Sequence, residues 1–432
     1  MVRLSQQMGE EKTLKPAAMQ RAFRCVLRFA HNCRRYGVDH LIPVATAAVR
    51  QANNGASFLQ EMERLTGISF RILSGDEEAH YDYLAIANTF SLTDAVIIDV
   101  GGASTEIVLM KGRNKVNAVS LPLGAVNMTE TFFQADPPTR KEWQIAQNYL
   151  QAIIASLPWL EAAKNLPSIT LGGTARNLGR MHKKRHPSML RVLHNYMIPA
   201  SDWLSLFSAC TQQPLDERKK IPGLAKSRAD IIVGGASIIR QLIEHLESPA
   251  VLISECGLRE GLFYEHLLGE LHPPLLPDVR AYSVHNVMRL HDPFPQEAEQ
   301  IAAQALHLMR RDDRMMSGAE APAWETILSS AAKLHRIGRS LNIHHEDLHS
   351  FYMALSTPLY GFTERDRVLI ALLATLAYRK KIKSKGWEDL SPLLQEGDLE
   401  RLHFLGQVLR QAKEQVENQP HPRAAGRQMH SL

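Results

Sequence analysis

Residues 96–110, VIIDVGGASTEIVLM, set Asp99 at the end of an apolar run, follow it with Gly101, Gly102, Ala103, Ser104 and Thr105, and then resume an apolar run. Glycines let a turn adopt dihedrals closed to other residues and let a ligand approach the backbone. The freed amides, with the hydroxyls of Ser104 and Thr105, suit an anion. A carboxylate disfavours a bare phosphate beside it. Asp99 therefore fits a site mediated by Mg2+, which takes one or two carboxylates together with phosphate oxygens and water. The same residues also fit a glycine-rich hairpin in which Asp99 accepts turn hydrogen bonds.

Two further stretches bear on that choice. In LSGDEEAH (73–80), Ser74 and Glu77 have the spacing of a capping box, and three acids suit the positive end of a helix dipole. A glutamate there is also placed to orient a water and accept its proton, if it faces the glycine loop. In TLGGTARN (170–177), Gly172, Gly173 and Thr174 form another glycine turn at a strand end, either a second phosphate contact or an ordinary helix start. The loop after Asp99 lies between two strands. A Walker loop or a dinucleotide fingerprint would lead from a strand into a helix, so neither applies.

The surrounding elements must position these groups. Residues 16–90 alternate helix and strand, a rhythm that predicts parallel strands. AVIID, TEIVLM and KVNAVSLPL then read as consecutive strands of an antiparallel meander, followed by a helix near 140, the strand SITL, a long helix in ADIIVGGASIIRQLIEHL and a strand–turn–helix in AVLISECGLREGLFYEHLL. Beyond the proline cluster LHPPLLPD (271–278) the pattern is helical with no convincing strand. The expected partition is an α/β lobe at 1–94, a second α/β lobe at 95–270, a helical domain at 271–415 and a disordered tail at 416–432.

The chain of 432 residues is 45% hydrophobic and 22% charged, an ordinary globular composition. No apolar run is long enough to span a bilayer, and the first residues lack a secretory signal core. Four scattered cysteines without ligand spacing point to a reduced, cytoplasmic setting. The net charge of +5 is concentrated in short runs at 182–186, 217–220 and 378–385, which read as solvated faces or a polyanion track. No zinc-finger, helix-turn-helix or RNA-binding signature is present, so nucleic acid is not an expected partner.

The motifs in this order resemble the exopolyphosphatase/guanosine pentaphosphate phosphohydrolase (Ppx/GppA) family. DVGGASTE is similar to its D-I-G-G-G-S-T-E loop, differing at Val100 and Ala103; SGDEEA resembles its SGEEEA motif, and VATAAVRQANNG, LGGTA, SRADIIVGGASII and CGLREGLFYE match further signatures. The resemblance implies an actin/sugar-kinase-like (ribonuclease H-like) ATPase fold of two α/β lobes, followed by an all-α HD-like domain. It places the catalytic glutamate at Glu77, metal- and water-handling acids at Asp99 and Glu106, a cleft arginine at Arg50, and the phosphate loop at Gly101–Thr105. It further implies Mg2+ as cofactor, a homodimer, and hydrolysis of the terminal phosphoanhydride of inorganic polyphosphate or of guanosine pentaphosphate.

Two departures from the family pattern carry expectations of their own. No D-x-G-S-N-[ST] segment, the family's first phosphate loop, occurs in the chain. Either the natural start lies upstream of Met1, or this is a shortened, catalytically deficient polyphosphate- or nucleotide-binding regulator. In the helical domain LHRIG carries Arg336 where an HD site needs its aspartate, so His335 is expected to pack or to lie on the surface rather than to ligate, and no catalytic metal is expected there.

Overall fold

The computed structural model describes residues 2–186, 190–311, 320–381 and 389–418. Most of the expected tail at 416–432 and the end of the basic run at 378–385 lie outside the described residues, and the last helix continues to Glu417. The chain divides into two compact units, one of residues 1–187 and 192–277 and one of residues 188–191 and 278–432.

The first unit begins with α1 (Pro16–Arg35), which has proline in its opening turn and Arg34 and Arg35 in its last. These are the placements that a missing amide and the helix dipole favour. β1 (Val44–Ala45), α2 (Ala47–Arg50), α3 (Gly55–Thr66) and β2 (Arg71–Ile72) follow, with β1 and β2 paired in parallel. Gly67 ends α3 in the left-handed region, where glycine carries no Cβ penalty. Next comes α4 (Gly75–Ala87), capped by Ser74 and Glu77.

The main sheet follows. It contains β3 (Ala95–Val100), β4 (Thr105–Lys111), β5 (Asn114–Leu121), β6 (Ser168–Leu171), β7 (Tyr196–Pro199) and β8 (Ala250–Ile253), in spatial order β5-β4-β3-β6-β8-β7. β3, β4 and β5 form the antiparallel meander, while β6 and β8 run parallel to β3. This is the ribonuclease H-like half of the actin/sugar-kinase fold, with β7 added antiparallel at the edge. The short run YMIP was not legible as a strand, because an edge strand buries only alternate residues and leaves no apolar block.

Alternation along β3 sorts its side chains between two cores. Val96, Ile98 and Val100 pack on one face with α5 (Ala125–Phe132), α6 (Arg140–Ala155), α7 (Gly172–Arg185), α8 (Ala200–Thr211) and α10 (Ile232–Leu246), the short α9 (Leu215–Arg218) lying between the last two in sequence. Ala95 and Ile97 pack on the other face with Leu84 and Ile86 of α4 and Leu262 of α11 (Leu258–Leu267). Because both faces are covered, β3 and β4 read as near-continuous apolar runs.

The second unit, taken by itself, is helical: α12 (Val279–His291), α13 (Pro295–Arg310), α14 (Ala321–Leu334), α15 (Glu346–Ser356), α16 (Glu364–Leu376) and α17 (Asp398–Glu417) surround Met288, Ile301, Leu328, Leu369 and Leu405. His335 is fully buried, its Nδ1 lies 2.6 Å from the Ala332 carbonyl, and burial pulls its pKa down to about 3. The buried Arg336 guanidinium lies 2.9 Å from Glu297 and 3.6 Å from Asp292, so where the HD pattern would set an acid the chain builds an internal ion pair.

Candidate active site

Asp99 shares the parity of Ala95 and Ile97, so its carboxylate points to the α4 side of the sheet, at the end of β3. Glu106 pairs directly with Asp99 across β3 and β4, and Ser120 pairs with Glu106 across β4 and β5. Cross-strand neighbours share a face. The Ser120 hydroxyl donates to Glu106 at 2.7 Å. Above this row lies α4, and the phase of that helix decides which of its acids take part. Glu78 and Asp82 are four residues apart, on one stripe, and both are buried.

Glu77 lies one residue round the helix and belongs to a different stripe. Its carboxylate accepts from the Ser74 amide at 2.7 Å and pairs with Arg71 at 2.8 Å, while Arg71 also donates to Tyr81, which lies four residues beyond Glu77 on α4. The expectation that Glu77 faces the glycine loop is therefore corrected: Glu77 caps and braces α4, and Glu78 turns inward. Two signals for this lay in the sequence. Ser74 already claims the residue three positions on, and an acid recurs at 82 in an otherwise apolar helix.

Arg50, the last residue of α2, donates to the Leu73 carbonyl at 2.6 Å and pairs closely with Glu78. It thus positions the glutamate and offsets one negative charge. On the loop itself, the Gly101 amide bonds back to the Ser104 carbonyl at 2.9 Å, and the carbonyls of Gly101 and Gly102 accept from Ala125 and Val126 in the first turn of α5. The amides of Gly102 and Ala103 meet no acceptor among the described residues, which leaves two adjacent donors for an anion. Ser104 bonds to Glu106. Thr105 differs from expectation: its buried hydroxyl donates to the Leu123 carbonyl at 2.6 Å and fastens the turn.

Gly172 and Gly173 open α7 directly against Asp99. Gly172 has φ +79°, and a Cβ there would sit 2.5 Å from Asp99 Oδ1 and 2.8 Å from the Val100 carbonyl. Alanine at 172 combines a strained backbone with a clash against rigid neighbours, so Gly172→Ala is expected to cost about 1–3 kcal/mol of stability, read from a denaturant midpoint, and to lower activity by displacing Asp99. Thr174 is corrected as well. It is buried, with its hydroxyl against Gly235 of α10, so it packs α7 rather than contacting a ligand.

Reading single motifs missed three residues. Asp82 is fully buried with one carboxylate oxygen unpartnered. Arg176, on α7, and Arg228 act electrostatically on Asp99, and Arg228 lies across Gly173. Arg3 adds a further cation near Arg228 and pairs with Asp230 at 2.5 Å. One side of the site is thus acidic and the other basic, the division needed to hold a cation and an anionic chain together.

The acids pay for this proximity. Burial raises the pKa of Asp82, and repulsion from Asp99, Glu106 and Glu78 raises it further. Burial also raises Glu78 against the opposing pull of Arg50. Asp99 is raised by burial, opposed by Arg176 and Arg228, and its Oδ1 has no hydrogen-bond partner. Glu106 is pushed from its ordinary 4.5 to about 8, by burial first and by Asp99 and Glu78 next. Carboxylate oxygens of Asp82, Asp99 and Glu106 lie within 4.8 Å of one another, an all-oxygen donor set that fits a hard divalent cation.

A carboxyl raised in the folded state binds more protons there than in the unfolded chain, so its stabilising contribution fades as pH rises through the folded value. The metal-free protein is expected to lose thermal stability between about pH 5 and about pH 8. Glu106→Gln is expected to flatten that slope, and melting curves across the range in chelator check both.

A cavity of about 420 Å³ lies elsewhere in this unit, lined by Ala22, Phe29, Leu41, Val44 and Phe58 among others. Its lining carries no acid or basic side chain, so size alone does not locate the chemistry.

Comparison with known proteins assigns the chain to a family. The model of the Ppx/GppA phosphatase family matches residues 1–270, and that of the family's domain III matches residues 279–414. This chain belongs to the Ppx/GppA phosphatase family. Among the family's curated members, the guanosine-5'-triphosphate,3'-diphosphate pyrophosphatase of Vibrio vulnificus is 30% identical over 399 residues, covering 89% of this chain and 75% of that protein. Its counterpart in Vibrio parahaemolyticus is 29% identical over 387 residues, with the same coverage. A Ppx/GppA family member of Aquifex aeolicus superposes with TM-score 0.53 at 28% identity, over 63% of this chain and 88% of that one. An exopolyphosphatase from Cytophaga hutchinsonii shares the fold, with TM-score 0.58 at 21% identity over 62% of this chain and 88% of that one. The family consists of phosphatases, so the chain is a hydrolase of phosphate groups. No described helix is long and apolar enough to cross a membrane.

Proposed function

We propose that the protein is a Mg2+-dependent exopolyphosphatase, removing the terminal phosphate of inorganic polyphosphate as orthophosphate. The observation that carries this reading is the pairing of an acidic wall (Glu78, Asp82, Asp99 and Glu106) with two open loop amides and the arginines Arg176 and Arg228. Asp99, Glu106 and Asp82 would hold Mg2+, which would neutralise phosphate charge as the phosphoanhydride breaks. Gly102 and Ala103 donate amides to the terminal phosphate, and the arginines hold the rest of the chain. Arg50 orients Glu78, whose pKa burial raises, making that carboxylate a better proton acceptor. Glu78 then takes a proton from the attacking water, whose oxygen bonds to the terminal phosphorus. The bridging P–O bond breaks, and the shortened chain leaves with that oxygen and its electron pair.

A second reading within the same chemistry is hydrolysis of the 5'-phosphate of guanosine pentaphosphate, favoured by the named activity of the two Vibrio relatives. The test is orthophosphate release from long-chain polyphosphate and from guanosine pentaphosphate at equal concentration of phosphate ends. Faster release from polyphosphate supports the first reading; faster release from the nucleotide favours the second. Tight binding of either substrate with no turnover would instead identify a catalytically deficient regulator. Cytoplasmic location and a homodimer belong to the same proposal, on the family resemblance and the four free cysteines; light scattering checks the dimer.

A further inference from the structure

Among the described residues, one other cluster of metal-ligating side chains stands apart from the active site. His182 lies on the last turn of α7 and His186 follows one turn later as the residue capping it, while Asp202 lies in the first turn of α8. One ligand atom from each falls within 4.8 Å of the others. The two imidazole centroids are 4.4 Å apart. His182 is buried, with Nδ1 2.6 Å from the Tyr196 hydroxyl and Nε2 3.1 Å from Asp202 Oδ2. His186 is exposed and Asp202 half-buried, so the cluster opens to solvent on one side.

We propose that His182, His186 and Asp202 form a binding site for one Zn2+-class transition-metal ion, clamping the C-terminal end of α7 to α8. Two histidines one helical turn apart present their rings to a common point, and a carboxylate from a neighbouring helix supplies a third ligand. The fourth position is left to water. Tyr196, held in β7, serves as the outer partner: with the ion on Nε2, the Nδ1–H donates to its oxygen and fixes the tautomer. In the metal-free protein Nε2 faces Asp202 instead, and binding at Nε2 leaves the single proton of the neutral ring on Nδ1.

The surroundings select the kind of ion. Lys183, Lys184 and Arg185 flank the cluster, and Lys183 sits 4.4 Å over the Tyr196 ring. Such a basic setting repels Mg2+ and Ca2+, which depend on anionic oxygens, but an ion that prefers imidazole tolerates it. The site lies at the opposite end of α7 from Gly172 and Gly173, about 20 Å along the helix from Asp99. Occupancy there would hold in place the helix whose first residues pack on the catalytic aspartate.

The full chain, stripped with chelator, is titrated with Zn2+ by calorimetry and with Co2+ by its visible absorption. The Asp99→Asn background removes competition from the carboxylate site. One ion per chain is expected, with the absorption bands of four-coordinate Co2+. His186→Ala and Asp202→Asn alter side chains on the open side of the cluster, and circular dichroism verifies their fold. Each is expected to weaken binding about 10–100-fold. Substoichiometric binding, or affinity in both variants within about twofold of the parent, would overturn the proposal.

Discussion

Glu78→Gln is expected to reduce orthophosphate release about 10²–10⁴-fold, the range lost when a positioned proton acceptor is removed. Glu77→Gln is expected to leave the rate within a fewfold of wild type. The two residues are adjacent, carry the same side chain and are isosterically replaced, so the contrast tests which face of the helix the reaction uses. Glu78 is buried against Asp99 and Glu106 and paired with Arg50, whereas Glu77 is engaged by Ser74 and Arg71 at the helix start. Glutamine retains the capping geometry, so the melting temperature of Glu77→Gln should stay near that of the parent. Steady-state rates for both variants decide the matter. A large loss in Glu77→Gln with Glu78→Gln still active would reverse the assignment of the base.

The second large effect is expected at Asp99. Asp99→Asn should lower activity more than about 100-fold, since even outer partners of a metal ligand are worth about 10–100-fold. The same change should make the metal-free protein more stable. Asp99 is half-buried, its buried Oδ1 has no hydrogen-bond partner, and it repels Asp82, Glu78 and Glu106; a neutral amide relieves that repulsion. Gain of stability with loss of function is the pattern expected where a site is held under electrostatic strain. In the parent, added Mg2+ should raise the melting temperature by linkage, and in Asp99→Asn that rise should disappear. A variant that keeps the full Mg2+-dependent rise would remove Asp99 from the set of metal ligands.

The sequence alone determined the elements and the kind of chemistry, because these rest on local rules. Glycines after Asp99 mark a turn that approaches a ligand. The alternation of elements before residue 90 and the three apolar runs after 95 predict a parallel start and an antiparallel meander, and the strands found at 95–100, 105–111 and 114–121 follow that pattern. The order of motifs placed the chain in its family. The helical character after 278 needed only periodicity.

Tertiary structure alone decided which atoms meet. Two neighbouring glutamates on a helix differ by about 100° in direction, and capping spacing cannot say which one the sheet will cover; the packing of α4 on β3 and β4 settles it for Glu78 and brings in Asp82. Thr105 and Thr174 looked like ligand contacts because a hydroxyl beside glycine is a local signal, yet each is taken up by the interior. Arg176 and Arg228 act electrostatically on Asp99 from positions 77 and 129 residues away in sequence, and Tyr196 and Asp202 reach His182 from a strand and a helix beyond the end of α7. Contacts at such separations depend on the strand order β3-β6-β8-β7 and on helices laid across it, and a linear pattern does not carry that information.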